Sequence, residues 1–320
     1  MVAGLRIVRI LLLGANGQLG RTFFDQGGLA ARGGLTVASR DGLLAAGGNG
    51  EIADLSAPES LPTLLDRVRP DVIVNTAAYT AVDRAEQEEA LATRVNGEAV
   101  GVLGQWAAAH GALVIHYSTD YVFDGKQSRP YAVDAPTGPL SAYGRSKLAG
   151  EQALRDSGAD HLTFRTAWVY ATHGHNFLRT MLRLGAERDE LRVVADQHGA
   201  PTDTGLIVHG TLTALDRWAQ ADATQRRTLA GTHHLVASGA TSWHGFASAI
   251  FEEAAALGLL ARSPRVVAIG SAEFPTPAVR PACSLLDNDG FRQHFDFPLP
   301  DWRHGLHEVM CRLAASGHQT

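Results

Sequence analysis

The 320-residue chain has only two cysteines, Cys283 and Cys311. They are far apart, with no CxxC spacing, which excludes a disulfide framework and a cysteine-based zinc site and suits a reducing compartment. Basic excess is also missing: the formal net charge is -5, and Arg226–Arg227 is the one paired basic cluster, which a solvated helix end explains. A nucleic-acid-binding face is therefore not expected. Nor does any stretch approach the roughly 20 apolar residues that span a bilayer. The apolar run at residues 5–13 is broken by Arg6 and Arg9, lacks a small-residue cleavage site and runs into a glycine turn, unlike a signal peptide. A cytoplasmic protein is expected. The histidines at 173, 175, 233 and 234 have no cysteine or carboxylate at ligand spacing, so loop and strand-edge roles are expected for them rather than a metal.

What is present is an alternating pattern. At 45% hydrophobic and 19% charged, the chain is apolar enough to fold, and single cores rarely exceed ~250–300 residues, so a second domain or large appendage is expected. Brief apolar runs at 5–13, 35–39, 72–75, 113–118 and 161–166 read as parallel strands covered on both faces. Helical patterns lie between them at 18–29, from Ser56 with a capping-box Glu59, at 92–110 and at 142–156. Such alternation predicts an α/β fold: a Rossmann-like, doubly wound parallel sheet. Beyond Tyr170 the rhythm changes. Helices are expected at 177–187, 206–219, 243–256 and after Asp301, with short strands at 191–194, 232–236 and 265–269 and irregular chain over 196–204. This predicts a smaller interleaved α/β substrate domain. The expected division is 1–170 with 205–236 for the dinucleotide domain, and 171–204 with 237–320 for the other.

Residues 14–20 read GANGQLG, between the first strand and a helix. Backbone N–H groups at a helix N-terminus, with its positive dipole end, suit a pyrophosphate. Gly14 permits a tight turn, Gly17 a close backbone approach and Gly20 helix–sheet packing, with Asn16, Gln18 and Leu19 between them. The spacing is GxxGxxG rather than GxGxxG, and such a turn also occurs for structural reasons alone. At the end of the second strand an arginine accommodates a ribose 2′-phosphate and an acid grips a 2′-hydroxyl. Arg40 comes first and favours NADPH; Asp41 beside it keeps NADH open. Asp54 and Leu55 are placed for the adenine end, and the small residues Ala77 and Ala78, followed by Tyr79, leave room for a cofactor or simply pack.

Tyr143 and Lys147 are four apart near the start of a helix and share a face. Reducing a carbonyl needs a hydride on carbon and a proton on oxygen. A free tyrosine, with pKa about 10, exchanges protons slowly near neutrality; a neighbouring ammonium favours its phenolate. Thr119, at the end of a strand, is positioned to hydrogen-bond the same carbonyl oxygen. Taken alone, Tyr-x-x-x-Lys is a common surface pair. The glycine turn and Thr119 upstream give it weight.

Together these elements resemble the extended short-chain dehydrogenase/reductase superfamily. Within it, residues 75–86 (NTAAYTAVDRAE), 118–125 (STDYVFDG), 143–151 (YGRSKLAGE), 165–170 (RTAWVY), 176–177 (NF) and 196–202 (DQHGAPT) are similar to the dTDP-4-dehydrorhamnose reductase family. So are 234–236 (HLV), 241–244 (TSWH) and 275–281 (PTPAVRP), so the resemblance runs from residue 7 to about 310. It implies reduction of the C4 keto group of dTDP-4-dehydro-L-rhamnose by NADPH, with Tyr143 as proton donor, Lys147 as its modulator, also touching cofactor, and Thr119 orienting the ketone. Asp120, Tyr121 and Trp168 would line the sugar pocket, Asn176 would face the diphosphate and Arg280 would contact it. Family members that hold Mg²⁺ at a dimer contact use an acid shortly after the glycine turn. Here Arg21-Thr22-Phe23 follow and the first carboxylate is Asp25, a departure that counts against a metal-bridged dimer; the implied state is a monomer or homodimer. Asp120-Tyr121 replaces the Asp-Glu pair of sugar-nucleotide dehydratases and the small residues of epimerases. The remaining alternatives are another nucleotide-sugar 4-keto reductase, or a non-catalytic NADP-binding subunit like the relative that partners methionine adenosyltransferase.

Overall fold

The computed structural model describes residues 8–317; the expected strand start at residues 5–7 lies outside them. In chain order the first elements are β1 (Arg9–Leu13), α1 (Gln18–Gln26), β2 (Gly34–Ser39), β3 (Glu51–Ile52), α2 (Leu61–Val68) and β4 (Val72–Asn75). Next come α3 (Val82–Ala85), α4 (Glu89–Thr93), α5 (Ala99–His110), β5 (Leu113–Thr119), α6 (Ala142–Asp156) and β6 (His161–Thr166). Then follow β7 (Val169–Tyr170), α7 (Phe177–Glu187), β8 (Glu190–Val194), β9 (His198–Gly199), β10 (Thr202–Asp203), α8 (Thr204–Gln220) and α9 (Ala223–Leu229). The chain ends through β11 (Gly231–His234), β12 (Thr241–Ser242), α10 (Trp243–Ala256), β13 (Arg265–Ile269), α11 (Asp289–Phe295) and α12 (Trp302–Gly317).

Contacts sort the chain into two compact units: 1–119 with 141–164 and 214–233, and 120–140 with 165–213 and 234–320. The first is organised by a seven-stranded sheet in the order β11-β6-β5-β4-β1-β2-β3. β1 pairs in parallel with β2 and β4, β2 with β3, and β4 with β5. All residues of β4, β5 and β6 are buried, as expected where helices cover both faces of a parallel sheet. Leu11, Leu13, Ile73 and Val114 from the strands form one core with Leu64, Leu65, Leu103 and Trp106 from the helices. The strand order reverses beside β1, which leads into the glycine turn. Doubly wound folds bind ligands at such switch points.

Two expected helices differ. Ser56 caps nothing: its hydroxyl and N–H bind Asp54 Oδ1 (2.7 and 2.9 Å), and Glu59 pairs with Arg94 at 2.9 Å. A 3₁₀ turn over Pro58–Ser60 precedes α2, whose second residue, Pro62, has no N–H to donate and so fits a first turn. The expected helix over 92–110 is interrupted by a π-helical segment, Arg94–Glu98. The extra residue swings Asn96 into the interior, where its Oδ1 accepts from Tyr79 N (2.8 Å) and its Nδ2 donates to Tyr79 O and Ser146 Oγ (3.0 and 2.9 Å). π-bulges inside α-helices tend to mark such functional places.

The second unit holds small two-stranded pairings: β7 with β10 and β8 with β13 in parallel, β9 with β12 antiparallel. Within the stretch expected to be irregular, residues 196–204, lie β9 and β10, two residues each. Strands that short carry no readable period. Among the described residues no helix is long and apolar enough to cross a membrane.

Candidate active site

The glycine turn is shaped by atoms it cannot accommodate. Gly14 has φ +80°, a region that side chains rarely enter, and a Cβ there would lie 2.6 Å from Ala77 N. At Gly20 a Cβ would fall 2.1 Å from Gly14 O, because α1 rises directly against the turn. Gly17, by contrast, would meet only Gly14 O at 3.3 Å, so its outer side is open. Gly17 is the N-cap of α1, and no side chain caps the first turn. The positive end of the helix dipole is thus closed off by no capping side chain, and Gly17 sets no Cβ there.

Asn16, expected at the cofactor, is spent on the neighbouring loop. Its Nδ2 donates to Leu43 O (2.7 Å) and its Oδ1 accepts from Ala45 N (2.8 Å), pinning the loop after β2 to the glycine turn. In that loop Asp41 Oδ1 accepts from Leu43 N (3.1 Å) and Ser39 Oγ (3.2 Å). One oxygen of the acid is engaged by its own turn, while Arg40 stands exposed beside it. Gln18 and Leu19 are half-buried in the first turn of α1. Asp54 binds Ser56, and Leu55 is buried in the core. Ala77 and Ala78 are half-buried after β4, and the Tyr79 hydroxyl donates to Glu88 Oε2 at 2.6 Å. Burial first, then that bond to a carboxylate, raises the pKa of Tyr79.

The second half of the candidate site lies on α6. Ser141 caps the helix by accepting from Gly144 N (3.2 Å), and Glu86 accepts from Ala142 N (2.8 Å). Small residues bring its flank close to the π-helical segment: a Cβ on Gly150 would strike Asn96 O at 2.0 Å. Tyr143 is half-buried and, like Tyr79, packs against the cluster of Ala85, Ala92 and Ala142. One turn on, Lys147 is 2% exposed. Burial pulls its pKa down from 10.5 to about 8, partly offset by the Glu151 carboxylate. Its Nζ sits 3.3 Å from Nε2 of His116 on β5, and His116 Nδ1 is 3.2 Å from Asn75 Nδ2 on β4. Burial, then the charges of Lys147 and His161, push His116 well below the usual histidine range. Thr119 ends β5 and is buried. The sequence reading missed Asn96 and His116. A polar residue within an otherwise apolar strand was the available signal for the second.

In the other unit, Asp120 is buried and opens a short 3₁₀ turn that includes the half-buried Tyr121. Trp168, at φ +50°, stacks on Trp243 with centroids 3.5 Å apart. Gly199 makes room for it, since a Cβ there would lie 2.5 Å from the indole. Trp243 thus covers one face of the Trp168 indole and also contacts Phe177 (4.7 Å). Asn176 caps α7: its Oδ1 accepts from Arg179 N (3.0 Å), and its Nδ2 donates to Ala171 O and His173 O (3.0 and 3.1 Å). Arg280 is half-buried in the loop before α11.

The glycine turn, an uncapped helix start and an exposed arginine at the end of β2 fit a dinucleotide with a ribose phosphate. Asp25, the first acid after the turn, pairs with Arg21 at 3.3 Å. Among the described residues no group of three or more histidine, cysteine or acidic residues is arranged to hold a metal ion.

Comparison with known proteins agrees along the whole chain. Residues 8–315 match the family model described as RmlD substrate binding domain. The dTDP-4-dehydrorhamnose reductase of Burkholderia thailandensis is 47% identical over 302 residues, covering 93% of this chain and 97% of the relative. The Escherichia coli K12 protein of the same name is 42% identical over 310 residues, 96% and 98% covered. Among solved structures, dTDP-4-dehydrorhamnose reductase from Bacillus anthracis in complex with NADP superposes with a TM-score of 0.81 at 30% identity, covering 96% of this chain and 99% of that one. With the family model matching residues 8–315 and such identities over nearly the full length, the chain belongs to the dTDP-4-dehydrorhamnose reductase family.

Proposed function

We propose that this protein reduces the C4 keto group of dTDP-4-dehydro-L-rhamnose with NADPH, giving dTDP-L-rhamnose. The observation that carries the reading is Lys147, fully buried one helical turn beyond Tyr143. Burying a cation away from water is costly, and lysine is rarely fully buried without a partner or a task. NADPH, when bound, supplies the hydride for the keto carbon. Gly14, Gly17 and Gly20 with the start of α1 hold its pyrophosphate, and Arg40 pairs with the 2′-phosphate.

Tyr143 donates its phenolic proton to the oxygen that becomes the alkoxide. The Lys147 ammonium stabilises the phenolate left behind, and Thr119 Oγ holds the ketone oxygen in place. Asp120, Tyr121 and Trp168 are the proposed sugar contacts, and Asn176 and Arg280 the proposed diphosphate contacts. The Asn176 side chain, occupied in capping α7, supports this role through the loop it shapes. With Asp41 engaged by its own turn, NADPH is preferred and NADH is accepted less well. The enzyme works in the cytoplasm as a monomer or homodimer.

The test is direct. Purified protein is given the keto sugar nucleotide with NADPH or NADH, and the product is identified by NMR. Formation of dTDP-L-rhamnose, faster with NADPH, is the expected result. NADPH binding without turnover of any 4-keto sugar nucleotide would instead identify a non-catalytic subunit.

A further inference from the structure

We propose that Asn75 and His116 form a buried hydrogen-bond chain that dictates the protonation of Lys147, by presenting an N–H rather than a lone pair to its amine. The inference rests on the reading of Lys147 as the partner of Tyr143.

One backbone group beside Asn75 has a direction that cannot be exchanged. Ala77 N–H donates to Asn75 Oδ1 at 3.2 Å. Turning the amide over would set two donors against each other, so the Nδ2 end faces His116, 3.2 Å from Nδ1. Nδ1 therefore accepts and carries no hydrogen. A neutral imidazole has one N–H, which must then be on Nε2, the atom 3.3 Å from Lys147 Nζ. His116 is fully buried and held neutral. Its Nε2–H meets an ammonium donor against donor, but an amine donor against lone pair. The contact therefore favours the uncharged lysine, in addition to the effect of burial.

The register makes this chain part of the sheet. Asn75 and His116 are partners across β4 and β5, and Asn75 is also the partner of Leu13 on β1, the residue before Gly14. Ala77, which fixes the amide, is the group that a Cβ on Gly14 would strike. The glycine turn and the lysine are thus joined through two side chains.

Other charged groups around the pair are accounted for. Glu151, on α6, offsets the effect on Lys147 and accepts from Ser118 Oγ on β5 at 2.5 Å. His161 on β6 acts on His116 and is itself lowered by burial and by Arg155, against Asp160 and Glu151. Just after α3, Glu86 is bound by Ala142 N, and on α4, packed against α6, Glu89 is bound by Arg145 (2.7 Å). Arg94, on the π-helical segment, pairs with Glu59, leaving Glu98 as that segment's other charge.

Lys126 and Lys147 are the two lysines of the chain, which makes the test clean. The full-length protein, without cofactor or substrate, is labelled at lysine Cε and at the histidine ring nitrogens and titrated by NMR. Lys126→Arg and His116→Gln assign the signals. The expected result is His116 protonated on Nε2, with its ring nitrogens shifting at the same midpoint as Lys147, near 8. His116 protonated on Nδ1, or ring shifts that ignore the Lys147 midpoint, would overturn the proposal.

Asn75→Asp supplies a reversal, because a carboxylate accepts from both Ala77 N–H and Nδ1–H. The His116 proton should move to Nδ1, and the Lys147 midpoint and the alkaline limb of the turnover profile should rise by about one pH unit. A raised midpoint with the tautomer unchanged would reflect added charge alone and would overturn the chain, as would a changed tautomer with an unmoved midpoint. Should this variant not fold, the wild-type titration decides by itself. Because it needs no turnover, its failure is separate from a failure of the reductase reading, which product analysis detects.

Discussion

The glycine turn after β1 and the face of α6 belong to the same unit, yet they are built by opposite means. The turn works by omission: Gly14 and Gly20 are places where one carbon atom would collide with backbone. The α6 face works by inclusion, with Lys147, His116, Asn75, Asn96 and Ser146 all buried and polar. Buried polar groups are costly unless satisfied, and here Asn75 on β4 meets His116 on β5 while Asn96 on the π-helical segment meets Ser146 on α6. In the proposed reading the turn binds and the α6 face reacts. Substitutions at the two should therefore fail in different ways.

The largest effect is expected on the α6 side. Tyr143→Phe removes the proposed proton donor and should lower turnover by about 10²–10⁴-fold. NADPH affinity, measured by fluorescence titration, should be nearly unchanged. On the glycine side the pattern inverts. Gly20→Ala forces a carbon against Gly14 O and should cost about 1–3 kcal/mol in denaturant unfolding, with NADPH binding lost as well. Gly17→Ala, whose Cβ meets far less, should leave stability nearly intact while weakening NADPH binding. Equal destabilisation by the two alanines would erase the distinction.

A subtler prediction concerns pH. Lys147 titrates near 8 when folded, against the usual 10.5, so between those values the unfolded chain holds more protons. The contribution of this group to stability is then lost as pH falls through about 8 and is fully present above about 10.5. The urea stability of wild type relative to Lys147→Met should therefore rise from pH 8 to pH 10; a flat difference would contradict the burial argument. The smallest effect is expected at exposed Arg40. Arg40→Ala should raise KM for NADPH by about tenfold, the scale of one charge-assisted contact, with little change for NADH. Equal changes would refute the 2′-phosphate role.

The same contrast explains what could be read from the sequence. Omission leaves a mark in composition, so the glycines, the strand before them and the parallel order were legible. The spans of β4, β6, α6, α7, α10 and β13 were also anticipated, because long periods and sharp caps such as Ser141 and Asn176 record themselves locally. Inclusion is a matter of tertiary partners. Nothing local marks Asn96 as the reason for a π-bulge, or His116 as more than a polar residue in an apolar strand. The bond from the Asn16 amide to a loop 27 residues on had no local mark either. Ser56 satisfied a capping pattern, yet Asp54 two residues earlier binds its hydroxyl, and Arg94 far along the chain takes Glu59.

In the proposed reaction a hydride reaches the C4 carbon while Tyr143 protonates the oxygen. It is tested most directly by running the reaction with NADPH deuterated at both nicotinamide C4 positions, in ordinary water, and reading the product by NMR. One deuterium on C4 of dTDP-L-rhamnose, with none elsewhere on the ring, is the predicted result. A product carrying only solvent hydrogen at C4 would contradict it.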